Sequence, residues 1–409
     1  MQYKNAVCAI TMLLVVGAAK AADSSYPTFV FNGFGTLGTV HSSEHNADFN
    51  NSFVQPDGAG ATHDWAFSVD SRVGLQLTTN FSEKLSAVVQ VVSEQRYDDS
   101  YRPSVEWANI KYDFTPDFSL RAGRIVLPSF IASDYRKVGF ALYRVRPPIE
   151  LYGMVPVTNS DGLDASYRFH HGELTNTVQA FVGRKNINTP TAGTWKAREI
   201  AGVINSIEFG DTLLRAGYLQ SQITADSVNT LFNAFRQFGP TGINIADRYD
   251  VDDKPIDVWI VGGRYDPGEW FVMAEWARTD SQSFLGTDEA WYVSSGFTIG
   301  QFSPYAGVAQ KNNLDDTNHP VLDAAFLPPV PRGFAMMLNA QLDNLLVSDE
   351  STTLTIGTRW DFRDDISLKL QLDRILLGDN SRGALMNIQP GFALGGDLNV
   401  VSAAIDFVF

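Results

Sequence analysis

Cysteine is nearly absent: Cys8 is the only one in 409 residues. It falls inside an N-terminal stretch that reads as a leader, too early for a lipoprotein attachment site. The chain that follows therefore has no thiol, which excludes disulfides and thiol chemistry even in a compartment that would permit them. Long apolar runs are missing too. The run at 6–19 is shorter than the roughly 20 residues a membrane-spanning helix needs, and no later segment is longer. Positive charge is in deficit: without Lys4 and Lys20, 29 basic side chains face 46 acidic ones, a net of −17. That balance argues against nucleic acid as a partner.

Other chemistry is equally scarce. There is no Gly-rich phosphate loop. His170-His171 has no third ligand in view and reads as a solvated turn. Asp250, Asp252, Asp253, Asp315 and Asp316 are loop acids without the ordered spacing of a calcium loop. No metal site and no cofactor is expected. No nucleophile or carboxylate–histidine cluster stands at a strand end, so the sequence does not read as an enzyme.

What is present begins with residues 1–21. Lys4 gives a positive start, 6–19 an apolar centre, and Ala19-Lys20-Ala21 a small-x-small cleavage site, the pattern of a secretory signal. Beyond it, aromatics make up 12% of the chain, glycine is plentiful, and mean hydropathy is −0.10. Hydrophobicity comes in short alternating bursts, as it does when lipid-facing and lumen-facing residues alternate along a strand.

About sixteen such segments follow, each near the ten residues a tilted strand needs to cross a bilayer. They lie at 28–41, 64–80, 85–96, 105–114, 118–126, 162–170, 173–184, 198–209, 212–223, 256–266, 269–281, 289–300, 302–311, 352–362, 366–377 and 397–409. Tight turns at 80–84, 115–117, 171–172, 210–211, 267–268, 301 and 363–365 alternate with longer loops. The loops are 42–63, 97–104, 127–161, 185–197, 224–255, 282–288, 312–351 and 378–396. This beat places both termini on one side and the long loops on the other. It predicts an all-β fold: one antiparallel transmembrane β-barrel over 22–409, with no internal linker. Helical spacing of Phe334, Leu338, Leu342 and Leu345, and more briefly of Leu231, Phe235 and Phe238, marks two loops as short helices or as a missed hairpin. Eighteen strands is thus an alternative.

The phases of the strands differ in polarity. In 366–377, Ile366, Leu368, Leu370 and Leu372 oppose Ser367, Lys369, Gln371 and Asp373. A basic side chain facing lipid near the midplane costs about 2–4 kcal/mol, so the polar phase is expected to face the lumen. A sixteen-strand barrel is too wide for side chains alone to fill, so that lumen is expected to hold water. The lumen-phase charges are Arg72, Arg96, Lys111, Arg121, Arg168, Arg215, Arg264, Arg359 and Lys369 against Asp70, Glu94, Asp113, Asp164, Glu275, Asp361 and Asp373. Arg72, Arg96 and Arg121 could form a basic ladder. Aromatics near strand ends, including Trp107, Tyr112, Phe114, Tyr167, Phe169, Trp270 and Trp360, fit interfacial girdles.

The last strand alternates Val401, Ala403, Ile405, Phe407 and Phe409 against Ser402, Ala404, Asp406 and Val408. Together with the signal, the opening strand Phe29-Val30-Phe31-Asn32-Gly33-Phe34-Gly35-Thr36, the loop rhythm and the long third loop, it resembles the Gram-negative outer-membrane porin superfamily, particularly the proteobacterial general-porin type. The resemblance covers the whole chain after the signal and is architectural. It implies an outer-membrane location, contact with membrane lipid and lipopolysaccharide, a homotrimer, and passive diffusion of small hydrophilic solutes. It also implies recognition of Phe407 and Phe409 by the barrel-assembly machinery. The third loop, 127–161, becomes the constriction loop by the same resemblance, folding inward to narrow the pore. It carries Asp134, Arg136, Lys137, Arg144, Arg146 and Glu150, with four prolines to stiffen it. Four basic and two acidic groups depart from the family's acidic loop tip. A channel with mild anion preference is therefore expected, with a selective channel for organic acids or phosphate as the alternative, and a barrel enzyme or adhesin further behind.

Overall fold

The computed structural model describes residues 26–315, 319–325 and 327–409. The signal read at 1–21, with Cys8, lies outside the described residues. Sixteen long strands run in chain order: β1 Thr28–Ser42, β2 Arg72–Asn80, β3 Leu85–Glu94, β4 Ser104–Asp113, β5 Phe118–Val126, β6 Asn159–His171, β7 Leu174–Asn188 and β8 Thr194–Phe209 form one half. β9 Thr212–Ala225, β10 Lys254–Tyr265, β11 Trp270–Ser281, β12 Thr287–Phe297, β13 Phe302–Asn313, β14 Ser351–Arg363, β15 Ile366–Leu377 and β16 Asp397–Val408 form the other. Each pairs antiparallel with the next, and β16 returns to β1 with Thr36 opposite Asp406 and Val40 opposite Ser402. The sheet is closed, so no spanning strand offers a free edge. At the seam Gly33 and Phe409 exchange backbone hydrogen bonds of 2.8 and 3.0 Å. The Phe409 ring lies over Gly33, where a Cβ would come within 2.1 Å of it.

The segments with helical spacing are helices, not a further hairpin. α1 Ile149–Tyr152 is a single turn in the third loop, α2 Asp226–Phe235 and α3 Gly239–Tyr249 occupy the fifth, and α4 Pro329–Leu345 the seventh. Phe232, Phe235, Ile245, Leu338 and Leu342 bury one another in a small core of their own at the loop end.

Three strand boundaries differ from the sequence reading. The segment 64–80 is broken: Trp65–Ala66 pairs with β1, residues 67–71 turn inward, and β2 starts at Arg72. The turn buries Val69 and Asp70, which the sequence placed on opposite phases of one continuous strand. The segment 85–96 stops at Glu94, leaving Arg96 beyond the strand end. β7 and β8 are longer than expected, which shrinks the loop 185–197 to 189–193.

The outer face carries the apolar phase: Leu354, Ile356, Leu370, Leu372, Val401 and Ile405 are all exposed. Rings line the short-turn rim, with Tyr112, Phe114, Phe118, Tyr167 and Phe169 in successive contact at centroid distances of 4.6–6.3 Å. Tyr265 on Trp270 and Trp360 between Phe302 and Phe362 continue that rim. Trp107 does not belong to it. The β3–β4 register slips so that Gln90 faces Trp107 while Val91 faces Val105. The extra residue is a bulge, and Trp107 shares the inner face with Gln90.

The inner face is polar on β15 and β16, where Ser367, Lys369, Gln371, Asp373, Ser402 and Asp406 are buried. Over β7–β12 it is mixed, with Arg215, Arg264 and Glu275 set among apolar side chains. Phe181, Ile200, Ile204, Leu219, Val258 and Ile260 point inward and pack with Phe130, Leu151 and Tyr152 from the third loop. The expected inner charges Arg215, Arg264 and Glu275 are present there, but an apolar cluster that the sequence reading did not expect surrounds them. The sequence hid this because both phases of β7 and β8 are apolar, as with Phe181 and Val182 or Val203 and Ile204.

Candidate functional site

The segment 127–158 leaves β5 and lies inside the barrel, where its backbone and side chains meet the wall on nearly every side. On β9 Arg215 donates to the Phe130 carbonyl at 2.6 Å. On β11 Glu275 accepts from the Ile131 backbone N–H at 2.7 Å and from the Tyr152 and Tyr292 hydroxyls at 2.8 and 2.7 Å. On the opposite wall Lys137 bridges Glu94 of β3 and Glu106 of β4. Burial would lower the Lys137 ammonium, but Glu106 and Glu94 outweigh it and hold it above its ordinary value. Arg359 of β14 donates to the Phe140 and Leu142 carbonyls and lies 4.6 Å from the Phe140 ring.

Two ion pairs fasten the middle of the segment. Arg146 donates through Nε to Asp70 at 3.0 Å and through Nη2 to Ser402 at 2.7 Å, with Asp373 at 3.6 Å from Nη1; the side chains of Arg146 and Asp70 are 3% and 2% exposed. Lys369 and Asp406 are fully buried, 2.9 Å apart, and Lys369 also donates to the Gly139 carbonyl at 2.6 Å. Asp406 in turn accepts from Thr36 across the seam at 2.5 Å. Gly139 is required there, since a Cβ would stand 2.0 Å from Asp406 Oδ1. Buried charges persist only when paired and hydrogen-bonded in this way.

The remaining loop charges divide into spent and unspent. Arg144 donates to Thr355 at 2.9 Å, and Glu150 accepts from the Thr353 hydroxyl. Burial pushes the Glu150 carboxyl up, against the Thr353 hydrogen bond. Asp134 makes no ion pair among the described residues. Among the described residues Arg136 has only the Val155 carbonyl at 3.5 Å and the Tyr152 ring at 5.9 Å. Its guanidinium shares a narrow cleft with Asn51, Asp70, Arg72, Lys137 and Arg146.

The wall residues singled out from sequence scatter into several settings. Arg72 is 3.8 Å from Glu94, Lys111 pairs with Asp113 at 2.8 Å, and Arg121 grips Asp164 at 2.8 and 3.0 Å. Arg96 sits past its strand with its guanidinium 5.9 Å from the Tyr97 ring. Arg72, Arg96 and Arg121 therefore do not stand as one open ladder. Arg168 is exposed near the turn rim, and Arg264 has a buried Nε without a hydrogen-bond partner. Sequence reasoning missed Glu106, Asp406, Tyr292, Thr353 and Thr355. Asp406 was legible on the polar phase of the last strand, while Glu106 was masked by the bulge beside Trp107.

No family model matches the sequence, and no curated protein matches it. Solved structures do match in fold. An anion-selective porin from Comamonas acidovorans is 12% identical with a TM-score of 0.56, covering 94% of this chain and 100% of that one. The outer-membrane channel DcaP of Acinetobacter baumannii is 11% identical with a TM-score of 0.55, covering 96% and 100%. OmpT, an outer-membrane protein of Vibrio cholerae in its trimer form, is 12% identical with a TM-score of 0.50, covering 94% and 100%. At these identities the likeness concerns architecture, and it agrees with the closed barrel, the apolar outer face and the ring-lined rim. The chain has the sixteen-strand transmembrane barrel fold of Gram-negative outer-membrane porins and channels.

Proposed function

We propose that this protein is a passive channel of the outer membrane, admitting small hydrophilic solutes through a water-filled passage narrowed by 127–158, with a mild preference for anions. The observation that carries the reading is the position of that segment inside a closed barrel, held by wall residues on β1, β3, β4, β9, β11 and β14–β16. A field set by opposed charges in a narrow passage selects ions. Here Lys137 and Arg146 are neutralised by wall carboxylates, whereas among the described residues Arg144 bonds only the Thr355 hydroxyl. The preference therefore rests on Arg136 and Arg144, helped by Arg168 and Arg264, which make no ion pair among the described residues. Guanidinium groups of this kind take carboxylates and phosphates bidentately.

Homotrimeric assembly is part of the proposal, supported by the trimer form among the structural neighbours, and so is the absence of enzymatic activity. A selective channel for organic acids or phosphate is the second reading. It is favoured by how much of the interior the segment and the apolar cluster of β7–β12 occupy.

The test is single-channel conductance in a planar bilayer, with reversal potentials in a salt gradient and added small carboxylates. A general anion-preferring trimer gives open steps in threes, a reversal potential on the anion side, and a shift toward cations in Arg136→Glu. Small steps blocked by one anion favour the selective channel. Clear cation selectivity in the unmodified protein refutes the anion preference, and absence of conductance refutes the channel.

A further inference from the structure

Register across the first four strands sets an uncharged row on the inner wall. Asn32 of β1 faces Gln76 of β2, Gln76 faces Gln90 of β3, and Gln90 faces Trp107 of β4. At about 4.8 Å between strands, the row is roughly 14 Å long. Gln90 is buried and donates Nε2 to Gln76 Oε1 at 2.9 Å, and Gln76 donates to the Thr78 hydroxyl at 3.3 Å. Leu75, Leu77 and Val89, on the other phase, are exposed on the outer face.

The bulge in β4 completes the row. Val105 faces out, so strict alternation would send Trp107 out as well; the extra residue, Glu106, turns it in. The indole N–H of Trp107 is buried and has no hydrogen-bond partner among the described residues. Asn32 is half-buried, and its side chain makes no hydrogen bond among the described residues either. Buried polar groups are nearly always paired, so an orphan indole N–H on a lumen wall is open to an acceptor carried by a solute.

Charge stands on both sides of the row, but it is spent. Toward the loops, Arg72 lies 3.8 Å from Glu94, and Lys137 bridges Glu94 and Glu106. Toward the turns, the next row of Val30, Thr78, Val88 and Asn109 carries no charge. Beyond it Lys111 is paired with Asp113 at 2.8 Å. An ion entering this strip would lose hydration with no opposite charge to replace it. An uncharged hydroxylated solute loses far less, because each amide offers both a carbonyl oxygen and an NH2, which a pair of neighbouring hydroxyls can satisfy together. The indole adds a flat apolar face with a donor at its edge. Ring sugars match both features, with hydroxyls around the rim and C–H groups on the faces.

We propose that Asn32, Gln76, Gln90 and Trp107 form a binding site for uncharged ring sugars, mono- or disaccharides, within the passage. The site rests on the channel reading above, but not on the anion preference, which lies with Arg136 and Arg144.

The experiment titrates maltose into single-channel recordings of the full-length protein and, in parallel, measures maltose binding to the detergent-solubilised protein by equilibrium dialysis. The comparisons are a polyethylene glycol of the same size and maltobionate, the acid of the same sugar. Maltose is expected to block the current saturably and to bind, whereas the polymer lowers the current only in proportion to its concentration. The half-blocking concentration should rise about fivefold in Asn32→Ala, which removes a side chain that holds nothing in the fold, and about tenfold in Trp107→Leu. Dialysis does not need an open passage. Binding without conductance therefore keeps the site and removes the channel; conductance without binding removes the site and keeps the channel. Block by maltose no stronger than by the polymer, or unchanged in both variants, overturns the proposal. So does block by maltobionate that equals that of maltose and is weakened by the same variants, because the row would then take the ring whatever its charge.

Discussion

With 3% of its side chain exposed, Arg146 sets its guanidinium among Asp70, Asp373 and Ser402. Removing it leaves two buried carboxylates unpaired, a loss of about 3–5 kcal/mol for a broken buried pair. The barrel's backbone ladder does not pass through Arg146, so the loss falls on the docking of 127–158. Arg146→Ala is expected to give a larger and noisier open current with little change in the barrel's resistance to heat. A current identical to that of the unmodified protein would show that the segment is held without it. The double change Arg146→Met with Asp70→Leu also removes the nearer carboxylate and should give a quieter current than the single change.

At the scale of the element, the third loop combines a stiff, proline-bearing chain with a carboxyl buried on its single-turn helix. Burial raises Glu150 above its ordinary value of 4.5. A group whose folded value is raised adds stability fully below its ordinary value and loses it as pH rises through the raised one. Docking of α1 against β14 is therefore tightest in acid and loosens above pH 4.5. Protease cleavage within 127–158, and current noise, should both increase as pH climbs past 4.5. Glu150→Gln should flatten that dependence, and a dependence that survives the substitution assigns it to another group. The bulge at Glu106 and Trp107 belongs to this scale as well. It lets one strand place two successive side chains inward, so that Glu106 meets Lys137 while Trp107 leaves the lipid face.

For the whole molecule, closure is the decisive event, and it depends on contact between residues 376 positions apart. Gly33 has no room for a side chain beneath Phe409. Gly33→Leu is expected to block the seam between β1 and β16, leaving refolded protein in detergent without the shifted gel mobility of an unheated barrel. Gly333→Leu, in α4 with nothing within 4 Å, is the control that should refold normally. Normal closure of the Gly33 variant would show that the seam can form without the Phe409 contact.

Strand number, strand order and the outward phase of β14–β16 were legible in the sequence because they follow from local alternation, in which a one-residue slip exchanges faces. The long and short connections likewise placed the loops, and the spacing of Phe334, Leu338 and Leu342 marked a helix. Which charges remain open to solutes was not legible. Lys137, Arg144 and Arg146 look alike along the chain as free cations, and only folding the segment inward shows Lys137 and Arg146 taken by wall carboxylates far away in sequence while Arg144 meets a hydroxyl. Nor could periodicity assign the apolar part of the interior on β7 and β8, where both phases are apolar and burial against Phe130, Leu151 and Tyr152 decides which one faces in. Local pattern determined the barrel. Its interior was decided by contacts between distant residues, because pairing and desolvation of buried groups depend on what the closed sheet brings together.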